Sequence, residues 1–300
     1  MVCAVSLRFK AHCALLLASF FWGVTFVVVK NALADISVIG YLAARFVLGA
    51  LPMIWIYRED LRKLTRAEAW AGVQIGLFMA AGYAFQTEGI SRTTPSKAAF
   101  ITGLSVVLVP IFLGVFWRKQ IGAWAWAGAA TSFAGLYFLT VPVEGFARLN
   151  RGDVLVLGCA VLYALQIIYI ARHSAKYSLG ALSCLQVILA GCLATIAVPI
   201  LNVTRVEPFF VRYTFQMEFG VIVTAIFTTA LAYPLLVWGQ THTSATNAAL
   251  ILTSEPVFAA ITSFFMLHER LGGRALAGSL LILGGIVLAE WRGAIPAAGS

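Results

Sequence analysis

Residues 243–290 read TSATNAALILTSEPVFAAITSFFMLHERLGGRALAGSLLILGGIVLAE. Residues 93–140, 150 positions earlier, read TTPSKAAFITGLSVVLVPIFLGVFWRKQIGAWAWAGAATSFAGLYFLT. The two stretches align without a gap, and eleven of their 48 positions are identical: Thr93/Thr243, Ala98/Ala248, Ala99/Ala249, Ile101/Ile251, Val107/Val257, Ile111/Ile261, Gly122/Gly272, Ala125/Ala275, Ala127/Ala277, Gly128/Gly278 and Gly135/Gly285. In so apolar a chain some identities arise by chance, so the weight falls on the glycines and alanines clustered at 122–128. A match at one fixed period marks a chain built from copies of one unit. The match extends outward. At the same offset Glu68, Tyr83 and Gly89 meet Glu218, Tyr233 and Gly239. At an offset of 141, Trp22-Gly23 meets Tyr163-Ala164 and Arg45-Phe46-Val47-Leu48 meets Gln186-Val187-Ile188-Leu189. The nine-residue change of offset falls where the second half carries a longer loop, Asn202–Met217.

Composition sets the environment of these copies. The chain is 61% hydrophobic and 11% charged with mean hydropathy +0.92, whereas soluble domains carry about 25% charged residues. Too little polar surface exists to cover a soluble globule of this length. A membrane-crossing helix needs about 20 mostly apolar residues, and ten such segments can be laid down: 11–30, 36–57, 68–89, 96–117, 122–140, 153–172, 179–201, 217–239, 245–267 and 273–291. The first could pass for a signal peptide, but its apolar run is too long, no small-residue cleavage site closes it, and it has a partner later in the chain. The expected fold is an all-α polytopic membrane protein. Residues 1–142 form one five-helix repeat and residues 143–300 a second, integrated into a single membrane domain.

Five crossings per copy is an odd number, so the copies enter the membrane in opposite directions. Basic residues favour the cytoplasmic side. With the N-terminus inside, the first half places Arg8, Lys10, Arg58, Arg62, Lys63, Arg66, Arg118 and Lys119 inside and only Lys30, Arg92 and Lys97 outside. The second half lacks the bias, with Arg172, Lys176 and Arg292 inside against Arg205, Arg212, Arg270 and Arg274 outside. The first half therefore sets the topology: an inner (plasma) membrane protein with both termini cytoplasmic. The net charge of +9 belongs to this topology rather than to a nucleic-acid partner. Inverted repeats are a transporter design, with the substrate site near mid-membrane between the halves.

Ten segments as five plus five, Trp22-Gly23 late in the first, Arg45-Phe46 in the second, Glu255-Pro256, then His268-Glu269-Arg270-Leu271 and the glycine-rich Gly278–Gly285 together resemble the EamA branch of the drug/metabolite transporter superfamily. The likeness spans essentially the whole chain, although Lys119 stands in the first half where the second has Glu269. Within that family the aromatic-rich interior is similar to the YddG-type exporters of aromatic amino acids. The resemblance implies export of small metabolites, often amino acids, through a cavity lined by the first four helices of each copy, with the fifth and tenth peripheral. Facilitated diffusion, and other solutes such as drugs or nucleotide-sugar-like molecules, stay open. A small-molecule substrate and the bilayer are the expected partners, a monomer suffices, and no cofactor or metal is expected.

Polar groups at mid-membrane are functional candidates because of what they cost there, about 2.5–3.5 kcal/mol for Arg or Asp even on translocon scales. Arg45 is tenth in the second segment and Glu255 eleventh in the ninth. An amino acid brings a carboxylate that Arg45 can hold bidentately and an ammonium suited to Glu255. The plain alternatives are a structural role for Arg45 and, for Glu255, a proton carrier, a partner of Arg45 or a residue beside water. The aromatic candidates Trp22, Tyr83, Tyr163, Tyr233 and Trp238 suit a cavity wall and equally suit core or interfacial packing. Gln86, Gln166 and Gln186 are uncharged polar residues that must find a partner in lipid, either by lining the cavity or by bridging helices, and Gln86 and Gln166 join the substrate-binding candidates. Five scattered cysteines without a CxxC read as buried thiols. His268-Glu269 lacks the final histidine of HExxH, and no compact catalytic cluster speaks for an intramembrane enzyme.

Overall fold

Long apolar runs separated by polar joints leave the backbone one economical choice, because an α-helix pairs its N–H and C=O groups within itself. The computed structural model describes residues 2–141, 145, 150–267 and 272–293; His268–Leu271 and the side chains of Cys3 and Glu290 lie outside the described set. The helices are α1 (Val2–Ala32), α2 (Val38–Ile56), α3 (Arg58–Arg62), α4 (Arg66–Arg92), α5 (Pro95–Gly103), α6 (Ser105–Trp117), α7 (Ala123–Thr140), α8 (Arg151–His173), α9 (Leu179–Val203), α10 (Phe215–Val223), α11 (Ala232–Thr241), α12 (Ala245–Leu252), α13 (Glu255–Leu267) and α14 (Gly273–Gly293). A π-helical stretch, Thr224–Leu231, joins α10 to α11. Among the described residues no strand forms beyond an isolated antiparallel bridge between Ile36 and Val211. Among the described residues six stretches are both long and apolar enough to cross a bilayer: Leu7–Ala32, Val38–Ile56, Lys97–Trp117, Arg151–His173, Leu179–Val203 and Phe215–Thr241, with Gly273–Ala289 a shorter apolar helix.

Local chemistry explains the helix starts. Thr65 and Asn150 each close a capping box, with Glu68 and Asp153 respectively, which satisfies two otherwise unpaired backbone donors at once. Thr94 caps α5 by accepting from the Lys97 N–H, and Ser244, its repeat mate, caps α12 by accepting from the Asn247 N–H.

The fourth and ninth segments are expected as single helices bent at Pro110 and Pro256. Each is instead two helices. The breaks fall after Gly103 and after Leu252, and the helices that follow them start at repeat mates, Ser105 and Glu255. Pro256 sits in the first turn of α13, where its missing N–H goes unused. The carbonyl it cannot pair, that of Leu252, lies 3.4 Å from the Ser19 hydroxyl of α1. Pro110 lies within α6, so it is not the point of interruption. Pro234 is the third residue of α11, in the turn that follows the π-helical stretch, where the freed carbonyl falls in the wider register.

The halves interleave. α1 packs on α11 and α13, α4 on α8 and α9, α2 on α9 and on the π-helical stretch, and α7 on α14. The last contact is made by glycines. A Cβ at Gly128 would lie 2.6 Å from the Gly285 carbonyl oxygen, and one at Gly135 would lie 2.6 Å from that of Gly278. Sequence numbers rise along one helix as they fall along the other, so α7 and α14 are antiparallel. Ser132 donates from its hydroxyl to the carbonyl of its own repeat mate, Ile282, at 3.3 Å. Small residues let helix backbones approach where lipid supplies no hydrophobic drive.

Gly135→Leu should therefore drive a side chain into the α14 backbone, which cannot yield. Overpacking of this kind costs roughly 1–3 kcal/mol, read as a fall of several degrees in the thermal midpoint of the solubilised protein. Ala134→Leu, one residue away on an exposed position, should leave the midpoint unchanged.

Candidate functional site

A cavity lies between the interleaved halves, and the repeat accounts for most of its lining. At the 141 offset it is lined by Trp22 with Tyr163, Thr25 with Gln166, and Phe26 with Ile167. At the 150 offset it is lined by Tyr83 with Tyr233, Gln86 with Leu236, Thr102 with Leu252, Gly103 with Thr253, and Ser105 with Glu255. The helix breaks thus open directly onto it. The aromatic walls repeat as well. Tyr83 and Tyr163 meet edge to face at 5.6 Å between ring centroids, and their mates Tyr233 and Trp22 do the same at 5.8 Å.

Arg45 lines the cavity without a repeat counterpart there. It is only 4% exposed. Its Nε donates to Thr229 Oγ1 at 3.1 Å, and Nη2 donates to Thr228 Oγ1 at 2.7 Å and to the Tyr83 hydroxyl at 3.1 Å. The guanidinium carbon stands 4.6 Å from the Tyr83 ring centre, a cation–π distance. Thr228 and Thr229 belong to the π-helical stretch, and both are buried on the side that faces α2. Among the described residues no carboxylate comes within 4.0 Å of Arg45. Its charge is held by neutral hydroxyls alone.

Glu255 opens α13 at the second helix break and lines the same cavity. Its carboxylate makes no hydrogen bond or ion pair among the described residues, so pairing with Arg45 does not occur here. Gly23 explains how α1 comes so close: a Cβ there would overlap the Glu255 carbonyl and crowd Phe258. Trp22, beside it, donates its indole N–H to the Thr228 carbonyl at 3.0 Å.

Eight of the nine candidates from the sequence, Trp22, Arg45, Tyr83, Gln86, Tyr163, Gln166, Tyr233 and Glu255, meet in one cavity. Trp238 does not line it; its ring lies 5.1 Å from that of His242. The glutamines are linked to neighbours. The Tyr163 hydroxyl donates to Gln86 Oε1 at 3.1 Å, and Gln166 donates to Gln186 Oε1 at 2.9 Å. Gln186 itself sits behind the wall, fully buried. Thr228 and Thr229 are the residues that sequence reasoning missed. Threonines at 224, 228 and 229 recur at helical spacing within an apolar run, and that was the available signal.

A hydrogen bond to a charged group contributes about 1.5–3 kcal/mol. Thr228→Val keeps the volume and removes the shortest of the Arg45 bonds. It should lower the thermal midpoint of the solubilised protein by several degrees, whereas Thr262→Val, whose hydroxyl bonds only its own helix backbone, should not.

Comparison with known proteins bears on what this cavity serves. The model of the EamA-like transporter family matches twice, over residues 9–141 and again over residues 150–291. An uncharacterized transporter of Archaeoglobus fulgidus is 31% identical over 296 residues, covering 95% of this chain and 87% of that protein. The uncharacterized transporter YvbV of Bacillus subtilis is 25% identical over 292 residues, 93% of this chain and 92% of its own length. A WAT1-related chloroplastic protein of Arabidopsis thaliana is 22% identical over 284 residues, 91% of this chain and 67% of the relative. A solved crystal structure superposes with a TM-score of 0.76 over 95% of this chain and 97% of the other at 16% identity, a likeness of fold.

Proposed function

Because this chain belongs to the EamA-like transporter family, within the drug/metabolite transporter superfamily, we propose that it exports a small zwitterion, an amino acid with a neutral or aromatic side chain. The observation that carries this reading is the pairing of opposite charges around one space. Arg45 and Glu255 line the same cavity, and among the described residues neither forms an ion pair. A single zwitterion matches both. Its carboxylate pairs with the guanidinium through a charge-assisted hydrogen bond, and its ammonium pairs with Glu255. The edge-to-face pairs Tyr83–Tyr163 and Trp22–Tyr233 offer an apolar wall with hydroxyl rims to the side chain.

The proposed mechanism is alternating access between two inverted five-helix repeats, residues 1–142 and 143–300, with ten crossings of an inner membrane and both termini cytoplasmic. Three observations support it: the family model matches once per half, the cavity wall is made of repeat-related pairs, and α7 crosses α14 antiparallel through exchanged glycines. In such carriers the substrate site stays fixed near mid-membrane while the halves rock around it.

Proteoliposomes loaded with radiolabelled phenylalanine or leucine test the reading. The wild type should move at least one of them. Arg45→Lys keeps the charge but loses the fork, and should lower the rate at least tenfold, about 1.4 kcal/mol. Glu255→Gln should lower it comparably. Full rates in both variants, or no movement of any amino acid by the wild type, would remove the zwitterion assignment. Equilibration that ignores pH and sodium gradients would mark a facilitator within the same assignment.

A further inference from the structure

Away from the cavity, two clusters at repeat-related positions stand at opposite ends of the bundle. In the first, the Asp153 carboxylate is 1% exposed and pairs with Lys97 Nζ at 2.5 Å, itself 7% exposed. The Thr93 hydroxyl donates to Asp153 Oδ1 at 2.7 Å, and the Asn150 backbone N–H donates to Oδ2 at 2.7 Å. Lys30 reaches across from α1, donating to the Ile90 and Thr93 carbonyls at 2.8 and 3.4 Å. Four helices, α1, α4, α5 and α8, are thereby tied together. Behind the ion pair α4 and α8 touch through backbone: a Cβ at Gly89 would lie 3.0 Å from the Gly152 carbonyl oxygen and would strike Val156.

Applying the two offsets carries Thr93 to Thr243, Asp153 to His12, Lys97 to Asn247, Gly89 to Gly239, Gly152 to Ala11 and Val156 to Leu15. Five of these six mates meet in one place. The Thr243 hydroxyl and His12 Nε2 are 3.5 Å apart, and Asn247 lies three residues beyond its helix cap, Ser244, as Lys97 does beyond Thr94. A Cβ at Gly239 would lie 3.1 Å from the Ala11 carbonyl oxygen and would press on Leu15. Lys30 and His12 are 18 residues apart on α1, about 27 Å at helical rise. The clusters therefore stand near opposite faces of the bundle.

We infer that these clusters are the two gates of the carrier, Thr93–Asp153–Lys97 joining α4 to α8 on one face and Thr243–His12 joining the end of α11 to α1 on the other. Their placement is shared; their chemistry is not. The first gate is closed by a buried ion pair, whereas the second carries a histidine in the place of Asp153 and has Asn247 at the sequence position of Lys97. Two gates of equal strength would leave the two facing states balanced. Substituting an ion pair into one biases the carrier toward keeping the Lys97 face shut, since a state is populated according to the contacts it alone makes. The inference rests on the transporter reading and not on the choice of substrate.

Thiol labelling tests it without any substrate. The chain with its five cysteines replaced by serine and Thr87→Cys added, a cavity-lining position, is reconstituted and treated with an impermeant maleimide from either face. Asp153→Asn should speed labelling from the Lys97 face about tenfold and slow it from the His12 face. His12→Ala should do the reverse. The exchanged pair Lys97→Asp with Asp153→Lys should return labelling toward the parent rate, which holds the test open if Asp153→Asn folds poorly. Unchanged rates in monodisperse Asp153→Asn, or equal acceleration from both faces, would overturn the gate assignment.

Discussion

A guanidinium buried inside an apolar helix bundle has to be hydrogen-bonded where it stands, because an unpaired charge there is severely destabilising. Arg45 meets this requirement with hydroxyls: Thr228, Thr229 and Tyr83. Those bonds tie α2 to α4 and to the π-helical stretch of the other half. The local widening of the helix from Thr224 to Leu231 presents two adjacent threonines to one cation. The consequence is a positive charge hydrogen-bonded in place beside a cavity, with no ion pair among the described residues. That charge is what an anionic group of a solute would meet.

Duplication supplies the frame and its exceptions supply the chemistry. Aromatic walls, helix breaks, caps and glycine crossings all occur twice, related by the same two offsets. Charged residues break the rule. Arg45 corresponds to Gln186, Glu255 to Ser105, Asp153 to His12 and Lys97 to Asn247. The first two place opposite charges around the cavity. The last two distinguish one end of the bundle from the other. A symmetric scaffold with charges on only one member of each pair has a built-in direction, which a perfectly duplicated one lacks.

Much of this was legible in the sequence because the relevant signals are local or periodic. The apolar runs fall on helical backbone, and the self-alignment at 150 and 141 brings Trp22, Tyr83, Tyr163 and Tyr233 together correctly. What escaped was set by three-dimensional register. The breaks after Gly103 and Leu252 leave no proline or glycine pair at both positions to announce them, and the prolines nearby pointed to the wrong residues. Thr228 and Thr229 are ordinary in an apolar run until a π-helical turn aims both at Arg45. Trp238 resembled the other aromatics in type and position, yet one helical face separates it from the cavity and seats it on His242.

The central claim is that one solute satisfies Arg45 and Glu255 together, and equilibrium binding to the purified protein addresses it most directly. Isothermal titration of phenylalanine, phenylalaninamide and N-acetylphenylalanine separates the two charges of the ligand without altering the protein. Binding of the parent amino acid with at least about a tenfold loss for each capped form, roughly 1.4 kcal/mol apiece, is the predicted result. Capped forms that bind as tightly as the parent would contradict the account, because the cavity would then recognise the aromatic ring and ignore the zwitterion.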